Sequence, residues 1–202
     1  KNKHGNKFDN WFNNTLKINC PYVFFGDKES IEMIKKYRGN ILTYYIKCEI
    51  EDFHTYNFKD KMITHPTHCP SVELNLIWNE KIFLIKKALE INPFSSDFFC
   101  WIDAGICLYR NKSPPTIQFP NQNKLNDLPK DKFIYSSSNK NLCNDKFQKG
   151  IFHLHHHISG TSYILHKNII YKFEEIYNNY LSLLDKNDIW TDQVILTNIY
   201  SI

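Results

Sequence analysis

The sequence predicts an α/β fold with a mixed central sheet flanked by helices. Three observations carry that reading. Apolar runs of strand length end in turn residues or acids, helical periodicity fills the stretches between them, and 42% of the residues are apolar, enough for a packed core. With 202 residues, the chain is expected to form one domain over 1–202, since ~150 residues is the usual domain scale.

The elements follow in order. Pro21-Tyr22-Val23-Phe24-Phe25 is entered through proline and left through Gly26-Asp27, which reads as a buried strand. Glu29 to Arg38 carries Ile31, Ile34 and Tyr37 at helical spacing, and Gly39-Asn40 closes it. Ile41 to Ile46 is a second strand, and Glu49 to Cys69, without clear periodicity, reads as loop. Ser71 caps a long helix over Val72 to Ile91, with Leu74, Ile77, Trp78, Ile82, Ile85 and Leu89 as its apolar face. Asn92-Pro93 stops that helix.

Asp97 to Asp103 is another apolar run, ending abruptly in an acid. Asn111 to Lys132, with four prolines, reads as a long loop, and Phe133 to Ser137 as a strand. Phe152 to His157 and Thr161 to Leu165 read as two strands separated by Ser159-Gly160. Asn168 to Leu184 and Trp190 to Tyr200 read as helices. The alternation from Pro21 to Asp103 predicts Tyr22–Phe25, Ile41–Ile46 and Phe98–Ile102 as neighbouring central strands of a partly parallel sheet.

Composition narrows the function. Of 25 basic residues only Arg38 and Arg110 are arginine, and Lys, Asn and Ile dominate, the imprint of AT-rich codons. The lysines are scattered, whereas nucleic-acid binding concentrates them in a patch, so no nucleic-acid partner is expected. No run of ~18 apolar residues could cross a membrane as a helix, and no signal peptide is visible, which points to the cytoplasm. The chain does not begin with Met, so residue 1 could lie inside a longer protein. Six cysteines form no CxxC pair; free thiols are expected, with Cys100 and Cys107 as small core residues.

Four features could carry chemistry. In Trp101-Ile102-Asp103-Ala104-Gly105 a carboxylate follows a buried strand, where open α/β sheets bind ligands. Such an acid could hold a divalent ion, sugar or phosphate group, or cap the next turn. Asp192 lies near the start of the last helix, as a general base or as an acid favoured by the helix dipole. His153, His155 and His157 would share one strand face, as a metal site or as a sugar-contacting cluster. Lys81, inside the long helix, could hold a pyrophosphate as a point charge or be solvated. Neither a glycine-rich phosphate loop nor a GxSxG elbow is present.

Taken in order, Trp78-Asn79-Glu80-Lys81, Asn92-Pro93, Trp101-Ile102-Asp103-Ala104-Gly105-Ile106, Ser159-Gly160 and Asp192-Gln193 resemble the HtrL/YibB family over about Trp11 to Tyr200. The resemblance implies a Rossmann-like GT-A glycosyltransferase that moves a sugar from a nucleotide-sugar to a hydroxyl acceptor, a glycan or protein-linked glycan, with Mn²⁺ or Mg²⁺ as cofactor. It implies that Asp103, with Ala104 and Gly105, stands at the Asp-x-Asp position for metal and diphosphate. Lys81 would bind the donor, Ser159-Gly160 would line the donor sugar, and Asp192 would be the late acid near the acceptor. The second Asp-x-Asp carboxylate is missing here, so His155 or His157 would complete the metal site, or the metal is dispensable. The family's first nucleotide-binding strand would precede Trp11. The competing reading is a catalytically degenerate module that binds a nucleotide-sugar or glycan without turnover.

Overall fold

A computed structural model describes residues 6–103, 109–138, 157–186 and 188–200. The first element is a helix, α1 (Asn6–Leu16), which the sequence reading did not assign. Its apolar residues Phe8, Trp11 and Phe12 recur at helical spacing and face the cleft described below.

β1 (Tyr22–Gly26) pairs in parallel with β2 (Thr43–Lys47), Phe24 opposite Tyr45. The connecting helix α2 (Lys28–Arg38) starts where Asp27 accepts a hydrogen bond from the Ser30 amide (2.6 Å). That bond favours the ionised form and holds the Asp27 carboxyl below its ordinary range. The helix ends at Gly39, whose positive φ of 51° costs glycine nothing. Arg38, the last residue of α2, turns back under the sheet and is 1% exposed. All five of its N–H groups donate: to the carbonyls of Leu16, Ile18, Cys20 and Leu42 and to Thr43 Oγ1, at 2.6 to 3.0 Å. Its guanidinium also stacks on the Tyr22 ring, 3.8 Å from the centroid. One side chain thus ties the end of α1, the start of β1 and the start of β2.

The stretch read as loop before Ser71 contains two 3-10 helices, Ile50–Asp52 and His54–Lys61. Ser71 caps α3 (Val72–Ile91) by accepting from the Leu74 amide, as expected. The apolar face differs from the expected one. Leu76, Ile82, Phe83, Leu84, Ile85 and Ala88 are buried, while Ile77 is 38% exposed. The cause is that polar residues of this helix, Asn75, Asn79, Glu80 and Lys81, are buried as well. Each is hydrogen-bonded, so α3 is enclosed on nearly all sides through its middle.

The second sheet corrects the predicted topology. β3 (Phe98–Ile102) does not join β1 and β2 through hydrogen bonds; it pairs antiparallel with β5 (Ile158–His166), which pairs antiparallel with β4 (Ile134–Ser137). The strand order is β3-β5-β4. β5 is nine residues long and runs unbroken through Ser159-Gly160, which was expected to separate two strands; the strand expected over Phe152 to His157 lies, but for His157, outside the described residues. Its length, its buried residues Ile158, Tyr163 and Leu165, and helices packed against it make it the central strand of this sheet. A short helix, α4 (Gln122–Asn126), lies within the expected long loop.

α5 (Lys167–Leu183) and α6 (Asp192–Tyr200) join α3 over this sheet. The main core lies there, with Leu76, Ile82 and Phe83 of α3, Tyr163 and Leu165 of β5, and Ile170, Tyr177 and Leu181 of α5. The described residues thus form a mixed α/β fold with two small sheets. Cys20, Cys48, Cys69 and Cys100 are free thiols, and Cys100 is exposed in the cleft rather than buried in the core; Cys107 and Cys143 lie outside the described residues. No described helix is long and apolar enough to cross a membrane.

Candidate active site

A cleft of about 2160 Å³ lies between the two sheets. Every residue of β1 and every residue of β3 lines it. Aromatic side chains such as Trp11, Phe24 and Trp101 are part of its lining. At the carboxyl end of β3 it meets Lys81, Asp103, Gly160, Trp190 and Asp192.

Three of the sequence-predicted residues converge there. Lys81 Nζ donates to Asp192 Oδ2 (2.8 Å) and to the Gly160 carbonyl (2.8 Å), and pairs with Asp103 Oδ1 (3.1 Å). The Lys81 residue is 3% exposed and Asp192 4%, while the Asp103 side chain keeps 29% of its surface open. Asp103 is further oriented by the Trp101 indole N–H, which donates to its Oδ1 (2.6 Å), and by its own amide, which donates to Thr161 (2.9 Å). Asp103 is therefore the more open of the two carboxylates, and Lys81 and Asp192 stand behind it.

Buried asparagines explain how Asp192 arrives at this point. Asn75 Nδ2 donates to the carbonyls of Ile63 (3.0 Å) and Ile189 (2.9 Å), and Asn79 Nδ2 donates to the Trp190 carbonyl (3.0 Å). The Tyr177 hydroxyl donates to Asn79 Oδ1 (2.6 Å) and fixes its orientation. The segment before α6 is thereby fastened to α3, and Asp192, first residue of α6, falls beside Lys81. Gly160 closes the fourth side. A Cβ built there would overlap the Asp192 carboxylate, so the close approach requires glycine. Sequence reasoning singled out Lys81, Gly160 and Asp192 but missed Asn75, Asn79 and the Trp101 indole. For the two asparagines the signal was present: polar residues one turn apart within a long apolar helix.

Burial alone would pull the Lys81 ammonium down, but Asp192 and Asp103 outweigh it and hold it above its ordinary range. Burial pushes the Asp192 carboxyl up against the pull of Lys81, and the nearby Asp103 charge adds to the rise. Two carboxylates share one cation, so one of them retains its proton more strongly than a free aspartate does.

The other predicted site residues separate. Ser159 Oγ pairs with Thr161 Oγ1 (2.8 Å), while its neighbour Gly160 lines the cleft. His157 is buried against the rings of Tyr135 and Tyr200, with centroids 5.8 and 5.0 Å away, rather than against Asp103. Ala104, Gly105, His153 and His155 lie outside the described residues. Lys81 does not extend into the cleft as a free phosphate-holding charge, because three acceptors take its three N–H groups.

Of the residues expected to hold Mn²⁺ or Mg²⁺, Asp103 and His157 are described and lie apart, and His155 lies outside the described residues. The two converging carboxylates are turned onto an ammonium, and among the described residues no three His, Cys, Asp or Glu side chains form a group that could hold a metal ion.

Residues 27–202 match a family model described as bacterial protein of unknown function, HtrL_YibB. No curated protein matches the chain. No solved structure matches it.

Proposed function

The chain belongs to the HtrL/YibB family, and from that premise and the geometry of the cleft we propose that it is a glycosyltransferase using a nucleotide-sugar donor and a hydroxyl acceptor. The observation that carries this reading is Asp103: a carboxylate at the end of a strand, open to a large cleft and held in place from behind. A carboxylate so fixed accepts hydrogen bonds from sugar hydroxyls, and aromatic rings on both sides of the cleft offer faces for a base or a sugar ring. The GT-A arrangement of this fold is part of the same proposal.

In this reading Asp192 receives the acceptor proton. It lines the cleft, and its affinity for a proton is raised. Transfer then forms a bond from the acceptor oxygen to the anomeric carbon and breaks the bond to the nucleoside diphosphate. A second reading, a binding module without turnover, is favoured by one observation: at the end of β3 Asp103 keeps an open carboxylate, whereas Asp192, although part of the lining, is only 4% exposed.

A thermal-shift panel of nucleoside diphosphates and nucleotide-sugars tests both. A ligand at ~100 times its Kd adds about 2.7 kcal/mol to apparent stability. One or more nucleotide-sugars should stabilise the protein, and Asp103→Asn should abolish that shift while keeping the fold. Stabilisation without donor hydrolysis or transfer selects the binding module, and no stabilisation by any member of the panel refutes both.

A further inference from the structure

We infer that Lys81 is the resident cation of this site, so that the carboxylates of Asp103 and Asp192 work without a divalent ion. The three oxygens that surround its Nζ, from Asp192, Gly160 and Asp103, lie at 2.8, 2.8 and 3.1 Å and come from three separate elements. Converging oxygens from different parts of a fold are what a hard divalent cation requires. Here the centre of that arrangement is filled by an ammonium whose three N–H groups match the three oxygens.

The ammonium is not free to leave. Lys81 lies in the middle of α3, two residues from Asn79, which is hydrogen-bonded to the segment before α6, and its neighbours Ile82 and Phe83 are buried in the core. The Trp101 ring lies 5.6 Å from Nζ and adds a further favourable face for a cation. A divalent ion beside Asp103 would sit next to a fixed positive charge that already neutralises the carboxylate it needs. Lys81 thus acts as a positioning residue. It holds Asp103 towards the cleft and Asp192 behind it, and donor selection falls to hydroxyl-accepting groups rather than to a metal-bound diphosphate.

This inference deepens the reading of the same site, but its test needs no nucleotide, so each can fail alone. The probe is MnCl₂ by itself, with free and bound Mn²⁺ read by electron paramagnetic resonance on the full chain. Wild type and Asp103→Asn should bind Mn²⁺ equally weakly. Lys81→Met keeps the stem, removes the charge and frees three converging oxygens, so it should bind Mn²⁺ at least tenfold more tightly than wild type. Wild-type Mn²⁺ binding that is lost in Asp103→Asn overturns the inference, as does a folded Lys81→Met protein with no gain. If Lys81→Met does not fold, the comparison of wild type with Asp103→Asn decides alone.

Discussion

Asp192→Asn should lower turnover of the donor found in the ligand panel by roughly 10²–10⁴-fold, the usual contribution of a positioned general base. The amide keeps the size and one acceptor oxygen of the acid but cannot take a proton. Lys81 retains Asp103 and the Gly160 carbonyl, so the fold should persist. Donor affinity should change by no more than a few-fold, because the lost interaction matters in the transition state. Steady-state rates, donor titration and circular dichroism on one variant separate these effects. Turnover within tenfold of wild type would remove Asp192 from the chemistry and leave it as a partner for Lys81.

Arg38→Met should cost about 3–5 kcal/mol of stability, the expected sum for carbonyls that lose a charged donor in a buried place. The Leu16 and Cys20 carbonyls depend on it most directly, because Ile18 and Leu42 also accept backbone N–H groups at 2.9 and 3.0 Å. Arg38→Lys should recover little of this. An ammonium has three donors at one point, whereas the five acceptors here are spread around a planar fork. Urea melts of the three proteins with m-values give the comparison. A loss under 1 kcal/mol in Arg38→Met would show that water or backbone shifts replace the guanidinium.

Local features were legible and long-range ones were not. The strand at Tyr22–Gly26, the Ser71 cap and the stop at Asn92 follow from neighbouring residues, and they appear where the pattern places them. The partner of β3 could not be read, because Trp101 and Tyr163 are opposite each other across more than sixty residues of chain and any apolar strand satisfies β3 locally. For the same reason α3 misled. Its apolar residues suggested one buried face, but the site required Asn75, Asn79, Glu80 and Lys81 inside as well. Asp103 stood out because a lone acid ends an apolar run. Its meeting with Lys81 and Asp192 is a product of packing that no spacing encodes. Arg38 also had a signal that composition alone carries: in a chain where 23 of 25 basic residues are lysine, an arginine marks a place where lysine does not serve.

The two facing edges of β1 and β3 have a consequence for how the molecule can change by mutation. Half the peptide groups of an edge strand point away from their partner strand, and every residue except proline supplies the same N–H and C=O. Recognition through those groups survives side-chain replacement along both strands. The aromatic and sulfur side chains of the lining, Phe24, Cys100 and Trp101 among them, are then open to drift that retunes which ligand is preferred. The buried cluster behind Asp103 has no such latitude, since a methyl group at Gly160 already collides with it. Related chains should therefore diverge quickly along the walls of this cleft and slowly at its end.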